Sequence, residues 1–205
     1  GGFILQLLSI SHQSASATVP TILVFCPSLS AAYGMDMEQG WVNLLEQRLK
    51  VKAPNAKVIN ASISGETTGG GATRLAGLLD KYEPSVVIIE LGGNDGLRAY
   101  PIKQMRRNLK TVTDAAVSDN SKVRLLAAEA PPNLGRRYTA LFRESYTQLA
   151  QNEAVMSLPF IVEHIFLSDE LMQADATHPN AKAQPLLLDV VWPSLLTLLG
   201  NSIDE

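Results

Sequence analysis

Three short stretches of this chain carry the side chains that acyl transfer needs: a hydroxyl, an imidazole with a nearby acid, and an amide in a glycine-rich loop. Cys26-Pro27-Ser28-Leu29-Ser30 offers the hydroxyl and Gly92-Gly93-Asn94-Asp95 the amide. Asp175-Ala176-Thr177-His178-Pro179-Asn180 offers the acid and the imidazole, three residues apart. A serine hydroxyl is a poor nucleophile until a neighbouring base takes its proton. Of the three histidines, only His178 has an acid at fixed short range. Asp175 accepting from one ring nitrogen would fix the tautomer, so that the other nitrogen faces the serine. Taken alone, Asp-x-x-His reads more readily as a helix cap beside a surface histidine. Pro179-Asn180, however, holds His178 in a loop ahead of the last helix. His164, in an apolar helix-like stretch, and His12, near the N-terminus, read as structural.

Acyl transfer also needs donors aimed at the oxygen that becomes negative, and losing one typically costs about 100- to 1000-fold in turnover. Ser28 N–H, Gly65 N–H and the Asn94 amide are the candidates. Gly65 suits the task because a residue without Cβ lets backbone approach a substrate. The competing reading of Gly65 and of Gly92-Gly93 is a plain turn, and that of Asn94 an Asx-turn.

These groups need a frame, and the hydrophobic pattern supplies one. Thr21–Cys26, Ala56–Ala61, Ser85–Leu91, Val123–Ala130 and Ser157–Val162 read as strands. Helical spacing covers Met37–Lys52, the segment through Arg74, Leu75, Leu78 and Leu79, then Pro101–Ser118 and Arg136–Glu153. A last helix is expected from about Ala181 to Leu199, interrupted near Pro193. Alternating strands and helices predict an α/β fold with a five-stranded parallel sheet and right-handed crossovers. In such sheets ligands bind beyond the carboxyl ends of the strands. Ser28, Gly65, Asn94 and the Asp175/His178 pair all fall there.

At 205 residues with a net charge of −3, the chain has the length of one domain and no charge excess to attract nucleic acid or an anionic membrane. The pairs Arg106-Arg107 and Arg136-Arg137 read as solvated helix faces. One cysteine excludes an internal disulfide and leaves the redox compartment open. Phe3–Ile10 is apolar but too short to span a bilayer, and Ala15-Ser16-Ala17 is an A-x-A pattern of the kind signal peptidase accepts. Residues 1–17 therefore read as the tail of a secretory signal, pointing to a periplasmic or secreted protein, or else as an N-terminal extension. The domain proper is 18–205. Nothing in the composition speaks to oligomeric state.

From about Thr21 to Leu199 the chain resembles the SGNH (GDSL-type) hydrolases, and most of all their bacterial multifunctional thioesterase I/lysophospholipase/arylesterase branch. The resemblance rests on Asn60-Ala61-Ser62-Ile63-Ser64-Gly65-Glu66-Thr67, on Glu90 to Arg98, and on Pro132-Asn133-Leu134-Gly135-Arg136-Arg137-Tyr138, together with the terminal Asp-x-x-His-Pro-Asn block. It implies a flavodoxin-like three-layer α/β/α sandwich, with no metal or cofactor. It implies Ser28 as nucleophile, His178 as base, Asp175 as orienting acid, and Gly65 and Asn94 beside Ser28 as oxyanion donors. Leu97–Tyr100 resembles the family's mobile substrate loop, against the competing reading of a surface loop. Glu129, Ala130, Pro131 and Leu134 fall beside the expected acyl site.

The chain departs from the family where Gly-Asp-Ser-Leu is expected and Cys26-Pro27-Ser28-Leu29 stands. Pro27 removes a backbone donor and an acidic side chain together, but leaves Ser28 N–H in place. The expectation is reduced turnover or altered substrate preference. Cys26 is expected to be a buried, inert thiol. Glu129-Ala130 and Leu134 also depart and are expected to retune substrate shape. The resulting expectation is an esterase acting on aryl or acyl esters, with thioesters and lysophospholipids as further substrates, through an acyl-enzyme. The alternative is a catalytically weakened homologue that binds acyl ligands. A polysaccharide deacetylase ranks lower, since only two tryptophans, Trp41 and Trp192, are present to form sugar platforms.

Overall fold

A computed structural model describes residues 20–27, 34–159, 165, 167–176 and 178–200. Residues 1–17, with His12, and also Ser28 and His164, lie outside the described residues. The element order is β1 Thr21–Phe25, α1 Trp41–Lys52, β2 Lys57–Asn60, α2 Thr68–Tyr82, β3 Val86–Ile89, α3 Gly93–Leu97, α4 Ile102–Ser118, β4 Lys122–Leu126, α5 Arg136–Leu149, β5 Val155–Leu158 and α6 Gln184–Leu199. The strands form one all-parallel sheet in the order β2-β1-β3-β4-β5. The chain winds outward from β1 to β2, then crosses to β3 on the other side of β1. The strand order therefore reverses between β1 and β3, where doubly wound sheets open a crevice for ligands.

Both faces of the sheet are covered, which explains why the central strands read as continuous apolar runs. Ile22, Val24, Val86 and Ile88 face a core shared with Trp41, Leu45 and Leu49 of α1 and Leu187, Val191 and Leu195 of α6. Leu23, Phe25, Val87, Ile89, Val123 and Leu125 face the other, with Leu75 and Leu79 of α2, Leu109 and Val112 of α4, and Phe142 and Tyr146 of α5. The expected three-layer α/β/α arrangement is the observed one. Arg124 is buried on the α1/α6 side and donates through Nε and Nη2 to the Ser194 carbonyl at 3.2 and 3.1 Å. Burial lowers the pKa of its guanidinium.

Several expected boundaries move. The fifth strand begins at Val155 rather than Ser157, because the turn at Asn152 delivers Val155 directly opposite Val123. It stops at Leu158 because Pro159 has no N–H to continue the ladder. Residues 160–162 of the expected strand lie outside the described residues. β4 ends at Leu126, which pairs with Leu158, the last residue of β5, although Ala128 and Ala130 stay buried. The expected helix Met37–Lys52 is split at Gly40 into a 3-10 turn and α1. The expected break at Pro193 does not occur: α6 runs through it. Pro193 is exposed, as is Asp189 four residues before it, so water can serve the carbonyl that lacks an N–H partner. Arg106 is also no free surface charge, since it bonds Ser145 Oγ at 2.8 Å and the Leu141 carbonyl at 2.9 Å, tying α4 to α5.

Candidate active site

The carboxyl ends of β1, β2 and β3 are laced together just where the candidate residues begin. Ala61 N–H donates to the Val24 carbonyl at 2.9 Å and Glu90 N–H to that of Phe25 at 3.1 Å. Cys26 N–H donates to Ser62 Oγ at 3.1 Å, and Ser62 N–H to Asn60 Oδ1 at 3.1 Å. Cys26 is fully buried, with its thiol 3.7 Å from the Ile88 carbonyl, as expected of an inert core thiol. Pro27 is buried in the turn that follows. Ser28, the next residue, lies outside the described residues.

The loops that carry the two other oxyanion candidates are tied to each other by hydrogen bonds. Gly65 sits exposed at φ +79°, in the left-handed region that glycine enters without penalty. Asn94, in the first turn of α3, donates through Nδ2 to the carbonyl of the adjacent Glu66 at 3.1 Å. An amide nitrogen carries two hydrogens, so Asn94 can hold Glu66 with one and present the other to a ligand. The loop itself is fastened by Arg74, which pairs with Glu66 at 2.9 and 2.7 Å, donates to the Ala61 carbonyl at 2.6 Å and lies over the Phe25 ring. On the β3 side Gly92 has φ +111°, and a Cβ there would run into the Tyr146 hydroxyl. That hydroxyl donates to the Leu91 carbonyl at 2.7 Å. Burial, and then the negative charge of Glu90, push Tyr146 well above its ordinary pKa, so it stays a neutral donor.

Asp175 and His178 are in direct contact. Asp175 Oδ2 lies 2.7 Å from His178 Nδ1, and its Oδ1 accepts the backbone N–H of His178 at 3.0 Å. The loop is closed by the antiparallel bridge between Met172 and Pro179 and by Gln173 N–H donating to the His178 carbonyl at 2.8 Å. Ala176 takes φ +54° at its tip. Asn180 anchors the base of the loop: its Oδ1 accepts from Lys182 and Ala183 N–H, and its Nδ2 donates to the Glu170 carbonyl at 2.7 Å. Gln184, nearly fully buried, donates to the Asn180 carbonyl and accepts from Trp41 N–H at 3.0 Å, joining the loop to the start of α1. From the other side Gly34, six residues beyond Ser28, lies so close to Gln173 that a Cβ would stand 3.2 Å from its Cδ. Gly34 thus abuts the loop that carries His178.

The arrangement provides an imidazole with an acid at 2.7 Å and an amide side chain tied to the residue that follows Gly65. Comparison with known proteins agrees with that chemistry: residues 28–185 match the GDSL-like Lipase/Acylhydrolase family. This chain belongs to that family. Esterase TesA of Pseudomonas aeruginosa is 44% identical over 95% of this chain and 96% of its own. An arylesterase of Vibrio mimicus is 39% identical over 90% and 92%. The crystal structure of the psychrotrophic esterase EstA from Pseudoalteromonas sp., inhibited by monoethylphosphonate, superposes with a TM-score of 0.81 at 43% identity, covering 87% of this chain and 98% of that one. As a GDSL-like acylhydrolase, the protein is a hydrolase of carboxylic esters.

The residues expected beside the acyl site of this GDSL-like enzyme fall in two groups. Leu97 and Tyr100 are exposed at and just beyond the end of α3, a short helix that sequence reasoning took for loop. The Tyr100 carbonyl accepts from Tyr138 O–H at 2.6 Å, which pins the exit of that segment. Ala130 is buried and Pro131 half-buried, with Ala130 Cα 3.4 Å from where a Cβ on Gly96 would stand. Leu134 packs partly against the α2/α4/α5 core. Glu129 forms a two-oxygen pair with Arg143 Nε at 2.7 and 2.9 Å, on the wall of a cavity of about 390 Å³ that Ala128, Tyr146 and Ser157 also line. Sequence reasoning placed Asn180 at the base of the histidine loop but missed Thr68, Asp95, Arg74 and Gln184. Their only signal was polarity at positions flanked by apolar or glycine residues.

Proposed function

We propose that this protein hydrolyses aryl and acyl carboxylic esters through an acyl-enzyme, with Ser28 as nucleophile, His178 as base and Asp175 as its orienting acid. The observation that carries the reading is the 2.7 Å contact of Asp175 Oδ2 with His178 Nδ1. With the proton on Nδ1, the Nε2 lone pair is available to take the Ser28 proton. Ser28 Oγ bonds the substrate carbonyl carbon, and the carbonyl oxygen becomes an oxyanion met by Ser28 N–H, Gly65 N–H and Asn94 Nδ2. The bond to the alcohol breaks and His178 returns the proton to the leaving oxygen. Water, deprotonated by the same imidazole, then releases the acid and restores the Ser28 hydroxyl. The residues require neither metal nor organic cofactor for these steps. Leu97, Tyr100, Glu129, Ala130, Pro131 and Leu134 shape the acyl side.

The substrates are small esters with aryl or alkyl leaving groups, extending to thioesters and lysophospholipids on the strength of the sequence blocks shared with that family branch. Residues 1–17 are read as an export signal and 18–205 as the catalytic domain, placing the enzyme in the periplasm or outside the cell. No helix among the described residues is long and apolar enough to cross a membrane. The test is hydrolysis of p-nitrophenyl esters from acetate to palmitate by the intact protein and by Ser28→Ala. Turnover lost in the variant supports the serine mechanism, and the chain-length profile separates aryl from lipid substrates. A folded protein with no turnover in either form would favour acyl binding without catalysis and make the Cys26-Pro27 departure decisive.

A further inference from the structure

Asp95 is a buried acid that the steps above do not use. It is 2% exposed, and both its oxygens face one residue: Oδ2 accepts Thr68 N–H at 2.9 Å and Oδ1 accepts Thr68 O–H at 2.6 Å. Thr68, fully buried, accepts in turn from Asn108 Nδ2 of α4 at 3.1 Å, which orients its hydroxyl toward the acid. We propose that Asp95, acting through Thr68, is a positioning residue that sets the separation of the two oxyanion donors Gly65 N–H and Asn94 Nδ2. This rests on the assignment of those donors above.

Asp95 directly follows Asn94 on α3, and Thr68 lies three residues beyond Gly65 at the first position of α2. Among the described residues the two loops are also tied by the Asn94 Nδ2 contact with the Glu66 carbonyl. That bond uses the same amide that must also reach the substrate, so alone it would let donor and loop drift together. The carboxylate clamp is charge-assisted, bidentate and excluded from water, which makes it stiff. It also sits at the positive end of α2. There it satisfies Thr68 N–H, a first-turn donor with no partner inside the helix, while the Thr67 hydroxyl accepts from Gly70 N–H; the side-chain bond to the Thr68 hydroxyl is additional to that capping. Oxyanion donors act by standing in place before charge develops, and a displacement near 1 Å is enough to cost about 100-fold.

The experiment measures kcat, KM and melting temperature with p-nitrophenyl acetate for Thr68→Val, Thr68→Ser and Asp95→Asn, each alone and on Asn94→Ala. Thr68→Val preserves volume and the backbone bond while removing the hydroxyl, so it carries the test even where Asp95→Asn fails to fold. The expected result is a fall in kcat of about 10- to 100-fold for Thr68→Val and Asp95→Asn, smaller than outright loss of a donor, with KM within about twofold. Thr68→Ser should recover most of the turnover. On Asn94→Ala neither change should lower kcat further, a coupling that simple destabilisation would not produce. Unchanged kcat in a folded Thr68→Val beside an impaired Asn94→Ala would overturn the clamp alone, as would losses that multiply on the Asn94→Ala background. Full activity of Asn94→Ala itself would bring down the donor assignment and the clamp with it.

Discussion

Asp175 makes two different bonds to His178, one to the ring and one to the backbone, and substitutions can separate them. Asp175→Asn retains a side-chain oxygen able to accept the His178 backbone N–H, but it cannot hold the ring as an ionised acid does. We expect kcat on p-nitrophenyl acetate to drop by roughly 10²- to 10⁴-fold, with little change in melting temperature. A variant with near-normal kcat would mean that the histidine is oriented by something else. Pro27 poses a second question at this scale. Pro27→Asp should raise kcat if the proline slackens the serine turn, and an unchanged kcat would show that the turn tolerates it. The contact of Asp175 with His178 was legible, because only three residues separate them in one short loop. Asp95 and Thr68 were not, because they are 27 residues apart and become partners only when α2 and α3 pack.

Elements bring these side chains to one edge, and the joints between elements are where they are most exposed to damage. Gln184 serves α1 and the histidine loop at once: Trp41 N–H is one of the first-turn donors with no partner inside the helix, and Asn180 closes the loop base. Gln184→Ala leaves the buried Trp41 N–H unpaired, at about 1–3 kcal/mol, while the Asn180 carbonyl keeps Ala183 N–H as a donor. The expected outcome is a lower urea midpoint with a kcat loss larger than any rise in KM. A wild-type midpoint would place the Trp41 N–H in contact with water. Helix and strand identities followed from periodicity, whereas their ends were set by partners. The ladder of β5 ends at Pro159, β4 ends where β5 does, and α6 tolerates Pro193 because that residue faces solvent.

Across the whole molecule the two cores flank one sheet, and the C-terminal edge is the common floor of the site. Tyr146 lies at that floor, buried, with its pKa raised above the ordinary 10.0. Above pH 10 the unfolded chain loses this proton while the native state keeps it, so unfolding becomes favoured as pH rises. Thermal denaturation should therefore show stability that is level below pH about 10 and falls at higher pH. In Tyr146→Phe that alkaline decline should be shallower. The same variant should lose about 1–3 kcal/mol at neutral pH, because the Leu91 carbonyl is left without its donor. An alkaline profile identical to wild type would assign the decline to other groups.

The parallel sheet, its helical layers and the chemistry of acyl transfer were determined by sequence alone. Hydrophobic period and the residue types of a catalytic set are local properties that do not depend on where distant segments lie. What tertiary structure decided was the fastening: Arg74 under the Gly65 loop, the Glu129–Arg143 pair on the cavity wall, Gln184 between α1 and the histidine loop, and the buried pairing of Asp95 with Thr68. A polar side chain finds its partner according to which groups burial strips of water, and that depends on how the elements pack in three dimensions.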